Sequence, residues 1–341
     1  MSAPAEPLLL TVDGNSLLHR AYHAAATGRL LDDDGRPVWA LKGLIGFIAR
    51  AAARLRPDAL LIGFDCPDDS ARKIDYPAYK AHRPDKAIEL EAQIVEAPGL
   101  LRAAGFCTVV PPSYEADDVL ASSAARARHS GWRSVVVTSD RDAFALIDAT
   151  TSVLRVRNGG LDEAVLVTAA SLPEICGVEP AQYRDYAALR GDPSDNLSGV
   201  RGLGATTAAR LLVAFGSVDA VWEALDSGDL AAVRAVVGDA AAESLGQPEA
   251  REAVERNRRL MRMRADLPLP DLDSARLPLD RVSVRRAFAE RGIRLGASLW
   301  ALTGGSPPLI IEELPVALRP WAPTSSVRRR RELIPGQTAL F

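Results

Sequence analysis

Cysteine is scarce in this sequence, with three residues among 341. Cys66, Cys107 and Cys176 are odd in number, lie far apart and show no CxxC spacing, so we expect free thiols and neither a disulfide framework nor a zinc site. Long apolar runs are also missing, since none approaches the roughly 20 residues of a membrane span. The first residues lack the basic segment and apolar core of a signal peptide. We therefore predict a cytoplasmic location.

Several catalytic motifs are absent as well. No GxGxxG follows the first apolar segment, which argues against dinucleotide binding. The four histidines stand in no Ser/His/Asp arrangement, so the sequence does not indicate covalent catalysis. The length is that of about two domains with a well-buried core.

Lysine is rare, and its placement is uneven. Only four of the 41 basic residues are lysines, and Lys73, Lys80 and Lys86 fall within one short segment. A lysine ammonium is a compact point charge, unlike the planar guanidinium of arginine. The clustering favours a functional lysine in this segment, with chance as the alternative.

Three apolar segments each run into an aspartate. Residues 8–12, 59–64 and 134–138 are rich in apolar side chains, as are strands buried on both faces of a parallel sheet. The carboxyl ends of such strands open onto the ligand crevice of a doubly wound sheet. One pocket is therefore expected to hold the acids that follow these segments, which are Asp13, Asp65, Asp140 and Asp142.

Five further acids are expected to join this pocket. Glu115, Asp117 and Asp118 fall in the first turn of a predicted helix, where the helix dipole explains one or two acids but not three. Asp192 and Asp195 lie in a loop rich in glycine, proline and serine. Two unit charges about 4 Å apart repel by about 4 kcal/mol at an effective dielectric of about 20, so nine clustered carboxylates need cations. Without histidine or thiolate ligands the set selects Mg²⁺ or Mn²⁺, and two such ions suit phosphodiester hydrolysis.

Residues 70–86 combine cations with aromatic rings. Such mixtures suit single-stranded nucleic acid, in which phosphates pair with charge and bases stack on rings. A solvated loop is the alternative. Within the segment, we expect Lys80 and Arg83 to neutralise charge that develops on the substrate.

Residues 199–205 form a glycine-rich turn that leads into a predicted helix. Glycines let a phosphate approach backbone N–H groups, and a helix N-terminus favours an anion. A contact to the DNA backbone is therefore predicted, with a plain turn as the alternative. Farther along, residues 251–264 carry six arginines. They are equally consistent with a helix face that binds duplex DNA and with a helix face exposed to solvent.

Five segments resemble, in order, the bacterial 5′–3′ exonuclease and flap endonuclease family, which includes the N-terminal nuclease part of DNA polymerase I. They are VDGNSLLHRAYHA, FDCPDDSARKIDYPAYKAHRP, YEADDVLA, TSDRD and LRGDPSDNLSGVRGLGATTAARLL. The resemblance spans about residues 8–220. Because no polymerase sequence follows residue 300, we expect a stand-alone form.

The resemblance implies an α/β fold in three parts. A PIN-like (resolvase-like) parallel-sheet nuclease domain is expected over residues 1–175, with a helical arch at about 70–90. A helical DNA-binding domain of the helix–three-turn–helix (helix–hairpin–helix) type is expected over 176–303, and a flexible Pro/Arg-rich tail over 304–341. The implied function is that of a structure-specific 5′ nuclease, which hydrolyses phosphodiesters at 5′ ends and flaps of DNA in repair and replication. We expect a monomer that uses two or three divalent ions.

The resemblance also implies roles for individual residues. Lys80 and Arg83 match catalytic or phosphate-steering cations, and a K⁺ ion is implied at the 199–205 hairpin. The implied metal ligands are Asp13, Asp65, Glu115, Asp117, Asp118, Asp140, Asp142, Asp192 and Asp195. The implied DNA contacts are Arg20, Arg72, Tyr79, Arg201, Gly202, Gly204, Thr206 and Thr207. The C-terminal peptide resembles the QxxLF motif that docks on the sliding clamp, through Gln337, Leu340 and Phe341.

Three positions depart from the family pattern. Thr206 replaces a common hairpin lysine, Ala71 an aromatic residue and Ala145 a glutamine. Since no acid is missing, we expect an active enzyme. The alternatives are an RNA-directed PIN-like nuclease and a catalytically inactive module that binds DNA structures.

Overall fold

The computed structural model describes residues 6–24, 30–294 and 297–307. The strands in these ranges are β1 (Leu8–Asp13), β2 (Ala59–Gly63), β3 (Cys107–Val109), β4 (Arg133–Thr138), β5 (Thr151–Arg157), β6 (Gly160–Val167), β7 (Gly191–Asp192) and β8 (Leu197–Ser198). The helices are α1 (Gly14–Ala24), α2 (Trp39–Leu55), α3 (Ala71–Asp75), α4 (Ile88–Ala103), α5 (Ala116–His129), α6 (Leu172–Cys176), α7 (Tyr183–Arg190), α8 (Ala205–Phe215), α9 (Val218–Asp226), α10 (Leu230–Val237), α11 (Asp239–Leu245), α12 (Pro248–Leu260), α13 (Arg281–Ala289) and α14 (Trp300–Thr303). No helix in the described ranges is long and apolar enough to cross a membrane.

A six-stranded sheet in the order β3-β2-β1-β4-β5-β6 organises the first half of the chain. The first five of these strands run parallel, and β6 returns antiparallel to β5. β1 is buried along its whole length, as its unbroken apolar sequence predicts for a central strand. Because β1 lies between β2 and β4, the carboxyl ends of these three strands meet at one edge of the sheet.

Helices cover both faces of the sheet. On one face α1, α2 and α4 enclose a core that includes Leu10, Ile62 and Val137. On the other face α5 covers β1 and β2. The helical half of the chain packs over β4 to β6, where Val153 and Val165 belong to the same core as residues of α7 and α8. The helical half is therefore fixed against the sheet beside the carboxyl ends of its strands.

Helices α13 and α14 return to the first half of the chain. Val284, Ala287 and Phe288 form one apolar face of α13, and with Leu302 they join the core beneath α2 and α4. The predicted helical domain extends to residue 303, and in the structure α13 packs on α4 and α14 packs on α2.

The arch implied at about residues 70–90 contains little helix. Ser70 caps the five-residue helix α3, and turns follow until α4 begins at Ile88. Pro77 and Pro84 lie in the intervening stretch, and each removes a backbone N–H donor that a helix needs. The segment nevertheless lies against the site, through contacts described below.

Candidate active site

Asp13 ends β1 at the centre of the carboxyl edge. One carboxylate oxygen accepts a bond from the Ser16 amide at 2.9 Å and the other from the Thr138 hydroxyl at 2.8 Å. Burial, reinforced by the charges of Asp65 and Asp140, raises the pKa of Asp13 to about 7. Asp13 is thus fixed in place but ionises only with difficulty.

Asp65 and Asp117 face Asp13 from two other elements. Asp65 follows β2, and its carboxylate accepts a bond from the Ala116 amide at 2.9 Å at the start of α5. Burial raises the pKa of Asp65, with the charge of Glu115 adding to it. Burial and the charges of Asp13 and Asp140 raise the pKa of Asp117 well above its ordinary value. The first carboxylate group consists of Asp13, Asp65, Asp117 and Asp140.

The second carboxylate group consists of Asp142, Asp192 and Asp195. An oxygen atom from each lies within 4.8 Å of the other two. Burial raises the pKa of Asp142 to about 8, reinforced by Asp140 and by the two acids of its own group. The charge of Asp140 helps to raise the pKa of Asp13 in the first group and of Asp142 in the second.

The donor set of the two groups fits divalent metal ions. All seven side chains offer carboxylate oxygens. Burial first, and neighbouring negative charge second, raise the pKa of Asp13, Asp117 and Asp142, and a bound cation relieves both costs. The second group suits a hard ion in particular, because its three ligand atoms are all carboxylate oxygens and neither histidine nor thiolate takes part.

Glu115 lies beside the first group but is already neutralised. One oxygen accepts a bond from the Ser70 hydroxyl at 2.8 Å, and the other accepts from Lys80 Nζ at 3.0 Å and from the Tyr79 hydroxyl at 3.2 Å. Burial opposes ionisation of this carboxyl, yet Lys80 and Arg72 lower its pKa overall. Glu115 therefore positions the Lys80 ammonium at the edge of the acidic pocket.

Lys80 and Arg83 connect residues 76–83 to the loop of the second group. The Lys80 amide donates to the Asp195 carbonyl at 3.0 Å. The Arg83 guanidinium bonds to the Asp195 carboxylate, and its Nε donates to the Ser194 carbonyl at 3.1 Å. The structure thus brings both predicted catalytic cations to the carboxylates.

Asp118, a predicted metal ligand, bonds to protein groups in the structure. Its side chain is fully buried, and both oxygens accept bonds from the Arg72 guanidinium at 2.7 and 2.8 Å. The same oxygens accept from the amides of Glu115 and Arg264. Asp118 forms the third position of a capping box with Glu115 at the start of α5. Its oxygens therefore hold the start of the helix, and its role as a metal ligand stays a prediction.

Two predicted DNA contacts, Arg72 and Tyr79, also bond within the protein. The Arg72 guanidinium is largely buried, and beyond Glu115 and Asp118 it donates to the carbonyls of Leu260 and Arg262. Tyr79 is 4% exposed, so its ring cannot stack on a base. Both side chains join the arch segment to the body of the protein.

The hairpin between α7 and α8 presents the remaining predicted contacts. Gly191 and Gly199 let two backbone segments touch, since a Cβ on Gly199 would lie 2.1 Å from the Arg190 carbonyl. Gly202 has a φ of +87°, which a side chain would strain. The predicted contacts Arg201, Gly202, Gly204 and Thr206 are exposed, and Thr207 is half-buried.

Arg20 and the arginines of α12 bond within the protein. Arg20 donates to the Asn158 side chain at 2.8 Å, in the β5–β6 turn. On α12, Arg251 pairs with Asp226 and Arg258 pairs with Asp219. Neighbouring acids thus neutralise Arg251 and Arg258. This favours the interpretation of α12 as a solvated helix face over its interpretation as a surface that binds duplex DNA.

Sequence reasoning missed several groups that fix the acids. Thr138 and Ser16 hold Asp13, and the Asn15 side chain accepts from the Asp65 amide at 3.0 Å. All three lie within three residues of a predicted acid in the sequence. Polar residues that close to a predicted acid could therefore have been proposed as its hydrogen-bond partners. Ser70, which bonds to Glu115, gave no such signal.

A sheet with acids at its carboxyl edge, followed by a helix–hairpin–helix half, defines a nuclease of resolvase-like architecture. Two family models match the chain: the 5′–3′ exonuclease N-terminal resolvase-like domain over residues 8–174, and the 5′–3′ exonuclease C-terminal SAM fold over residues 178–282. The chain belongs to the 5′–3′ exonuclease family. The predicted family, fold class and enzyme class are thereby confirmed.

Individual proteins show the same relationship. DNA polymerase I of Mycobacterium bovis is 36% identical over 300 residues, which cover 86% of this chain and 32% of that protein. The thermostable DNA polymerase I of Thermus thermophilus is 35% identical over 308 residues, covering 90% of this chain and 34% of that protein. The chain spans about a third of the length of these relatives.

Solved structures share the fold. The D15 flap endonuclease of bacteriophage T5, in complex with DNA and metal ions, matches with a TM-score of 0.59 and 20% identity over 74% of this chain and 88% of that one. The catalytic core of Rad2, in complex with DNA substrate, matches with a TM-score of 0.52 and 16% identity over 84% of this chain and 88% of that one.

Proposed function

We propose that the protein is a structure-specific 5′ nuclease that hydrolyses phosphodiesters at 5′ ends and 5′ flaps of DNA. The observation that carries the proposal is the convergence of seven carboxylates in two groups, with raised pKa values at Asp13 and Asp142. A neighbouring fold solved with DNA and metal ions supports it.

The two carboxylate groups are proposed to hold two Mg²⁺ or Mn²⁺ ions. Bound ions of this kind activate a water molecule and stabilise the leaving oxygen of a phosphodiester. Asp13, Asp65 and Asp117 are the proposed ligands of one ion, and Asp142, Asp192 and Asp195 those of the other. Asp140, whose charge acts on acids of both groups, is proposed to contribute to both ion sites.

Lys80 and Arg83 are proposed to stabilise the charge that develops on the reacting phosphate. Both cations lie at the acids, and the Lys80 ammonium is held by Glu115 at 3.0 Å. A positive group fixed before the reaction needs no reorganisation when charge develops. Arg83 is exposed and therefore accessible to a strand that enters from solvent.

The hairpin between α7 and α8 is proposed to bind the DNA backbone. The exposed hairpin and the uncapped start of α8 at Gly204 present backbone N–H groups. Arg201 adds a charge, and K⁺ is proposed to support this contact. Since Thr206 stands where the family commonly has lysine, phosphate contact here relies on N–H and hydroxyl groups.

Cleavage of matched 5′-labelled substrates tests the function. We expect Mg²⁺-dependent cleavage of a 5′ DNA flap near its junction, and none by the Asp140→Asn variant, which should still bind the flap in Ca²⁺. Faster cleavage of single-stranded RNA than of the DNA flap would favour the RNA-directed alternative. Absence of cleavage with intact binding would identify an inactive DNA-binding module.

The C-terminal peptide is proposed to dock on a sliding clamp. Gln337, Leu340 and Phe341 lie outside the described residues, so the proposal rests on their sequence alone. Deletion of residues 337–341 is expected to abolish capture by the clamp and to leave turnover on naked DNA unchanged. Clamp capture that is indifferent to the deletion would contradict the proposal.

A further inference from the structure

A cavity of about 140 Å³, separate from the carboxylate groups, lies where the helical half meets strands β5 and β6 of the sheet. Four arginines line it, from three parts of the chain: Arg141 after β4, Arg155 and Arg157 on β5, and Arg190 at the end of α7. Because Arg155 and Arg157 are two residues apart on a strand, they point to the same face of the sheet. The cavity is therefore built by the packing of the two halves.

The four arginines lack acidic partners. None forms an ion pair with another described residue, whereas Arg251 on α12 does. Arg155 Nε donates to the Ser139 carbonyl at 3.3 Å, and the Arg190 guanidinium lies 4.9 Å from the centroid of the Tyr186 ring. Neither contact neutralises a charge, although Asp140 attracts Arg155 from the neighbouring site.

Like charges held together without acids favour an anion. Burial, reinforced by the charges of Arg141 and Arg157, lowers the pKa of Arg155, which records the cost of this arrangement. Guanidinium groups bind phosphate through paired N–H donors. One water molecule takes about 10–15 Å³ of such a volume, so the cavity has room for a phosphate group with bound water.

The position of the cavity indicates which phosphate it takes. Arg141 stands between Asp140 and Asp142 in the sequence, and Ala205, at the start of α8 directly after the hairpin, also lines the cavity. The lining therefore includes a sequence neighbour of the carboxylate groups and a sequence neighbour of the hairpin. We propose that it binds a backbone phosphate of the DNA strand that runs from the site to the hairpin, and not the phosphate that is cleaved. The proposal rests on the proposed DNA substrate.

The salt dependence of DNA binding tests the pocket. Binding of a 5′-flap duplex in Ca²⁺ is measured by fluorescence anisotropy at several KCl concentrations, for wild type, Arg157→Gln and Arg190→Gln. Each variant is expected to bind roughly tenfold more weakly at low salt. The slope of log Kd against log salt should fall by about 0.9 in each, the value for one lost phosphate contact.

Arg133→Gln is the matched control, because it removes one exposed arginine at the amino end of β4, on the opposite edge of the sheet. Its slope should equal that of the wild type. Equal slopes in Arg157→Gln, Arg190→Gln and Arg133→Gln would overturn the proposal. The pocket variants should keep or gain thermal stability in phosphate-free buffer, since each removes one of four repelling charges.

Adding inorganic phosphate shows whether the ligand of the pocket is a DNA strand or a free anion. Should phosphate raise the Tm of wild type but not of Arg157→Gln, while the DNA slopes stay equal, the pocket binds free phosphate and the DNA assignment fails. A wild-type protein that binds the flap but never cleaves it in Mg²⁺ refutes the proposed function and leaves the slope comparison valid. If the wild type cleaves the flap but the pocket variants and Arg133→Gln have equal salt slopes, the phosphate pocket is refuted and the proposed nuclease function stands.

Discussion

Lys80 has an unusual backbone conformation for a lysine. Its φ is 57°, in the left-handed region, which costs a residue with a side chain of the order of 1 kcal/mol. The conformation persists because the Lys80 amide bonds to the Asp195 carbonyl while the ammonium bonds to Glu115. The ammonium is therefore held at the acids by two elements that are far apart in the sequence.

This placement predicts that Lys80 acts on the rate more than on binding. Lys80→Ala is expected to lower the single-turnover rate by about 10²–10³, the usual loss when one fixed charge-stabilising group is removed. The Kd for a 5′ flap in Ca²⁺ should change far less. Lys73→Ala, at an exposed lysine of the same segment that pairs with Asp69, is the control and should leave the rate intact. Equal losses of rate and affinity would make Lys80 a simple phosphate contact.

The buried pair of Arg72 and Asp118 predicts a loss of stability. Arg72→Gln leaves Asp118 without its charged partner, so the free energy of unfolding in urea should fall by about 3–5 kcal/mol. Arg276→Gln breaks the exposed pair with Asp273 and should cost at most about 1 kcal/mol. An Arg72→Gln protein of full stability that fails to bind DNA would restore the predicted phosphate contact.

At the scale of elements, the short β7–β8 ribbon carries the second carboxylate group. Asp192 lies on β7, and Asp195 in the turn that leads to β8. Gly191 starts this ribbon with a φ of 66° and a ψ of 179°, a region open essentially to glycine alone. A Cβ there would lie 2.3 Å from the Leu197 carbonyl oxygen. Residue 191 therefore controls where two of the three acids lie.

Gly191→Ala is expected to disturb the second group. The ribbon must shift, so Mg²⁺-dependent turnover should fall at least about tenfold, and stability should fall by about 1–3 kcal/mol. Gly46→Ala on α2 is the control: no atom lies within 4 Å of the added Cβ, and alanine favours a helix by about 0.5–1 kcal/mol. Normal turnover in Gly191→Ala would show that the ribbon does not position the acids.

Elements differ in how far the sequence predicts them. The strands that end on acids follow from local apolar patterns, and they occur as β1, β2 and β4. The partners of Asp118 do not follow, because the Arg264 amide is 146 residues away. Helix α13 likewise shows an apolar face in sequence, but which core it joins depends on the path of the whole chain.

At the scale of the molecule, the acidic site lies where the sheet and the helical half meet. The first group comes from β1, β2, α5 and the end of β4, while Asp192 and Asp195 come from the helical half. Convergence of the strand-end acids was predictable, because parallel strands share a carboxyl edge. The same prediction for Asp192 and Asp195 had less physical support, since loop composition alone places no residue, and the family resemblance strengthened it.

Crowded acids predict that stability without metal falls as pH rises. The folded pKa is raised to about 7 for Asp13 and about 8 for Asp142, so folded protein retains protons that the unfolded chain releases above about pH 4. The Tm in EDTA should therefore fall by several degrees from pH 5 to pH 8. Glu115, with a lowered pKa, contributes the opposite trend only at more acidic pH. Mg²⁺ should flatten the slope, because a bound ion replaces the protons.

Asp142→Asn tests the origin of this slope, because it removes one of the crowded charges. Its Tm in EDTA should depend less on pH than that of the wild type, and Mg²⁺ should raise its Tm less. Asp273→Asn, at an exposed carboxyl paired with Arg276, should behave as the wild type does. A wild-type Tm in EDTA that rises from pH 5 to pH 8 would mean that the seven carboxylates do not repel one another in the folded protein, and the two-ion site would lose its physical basis.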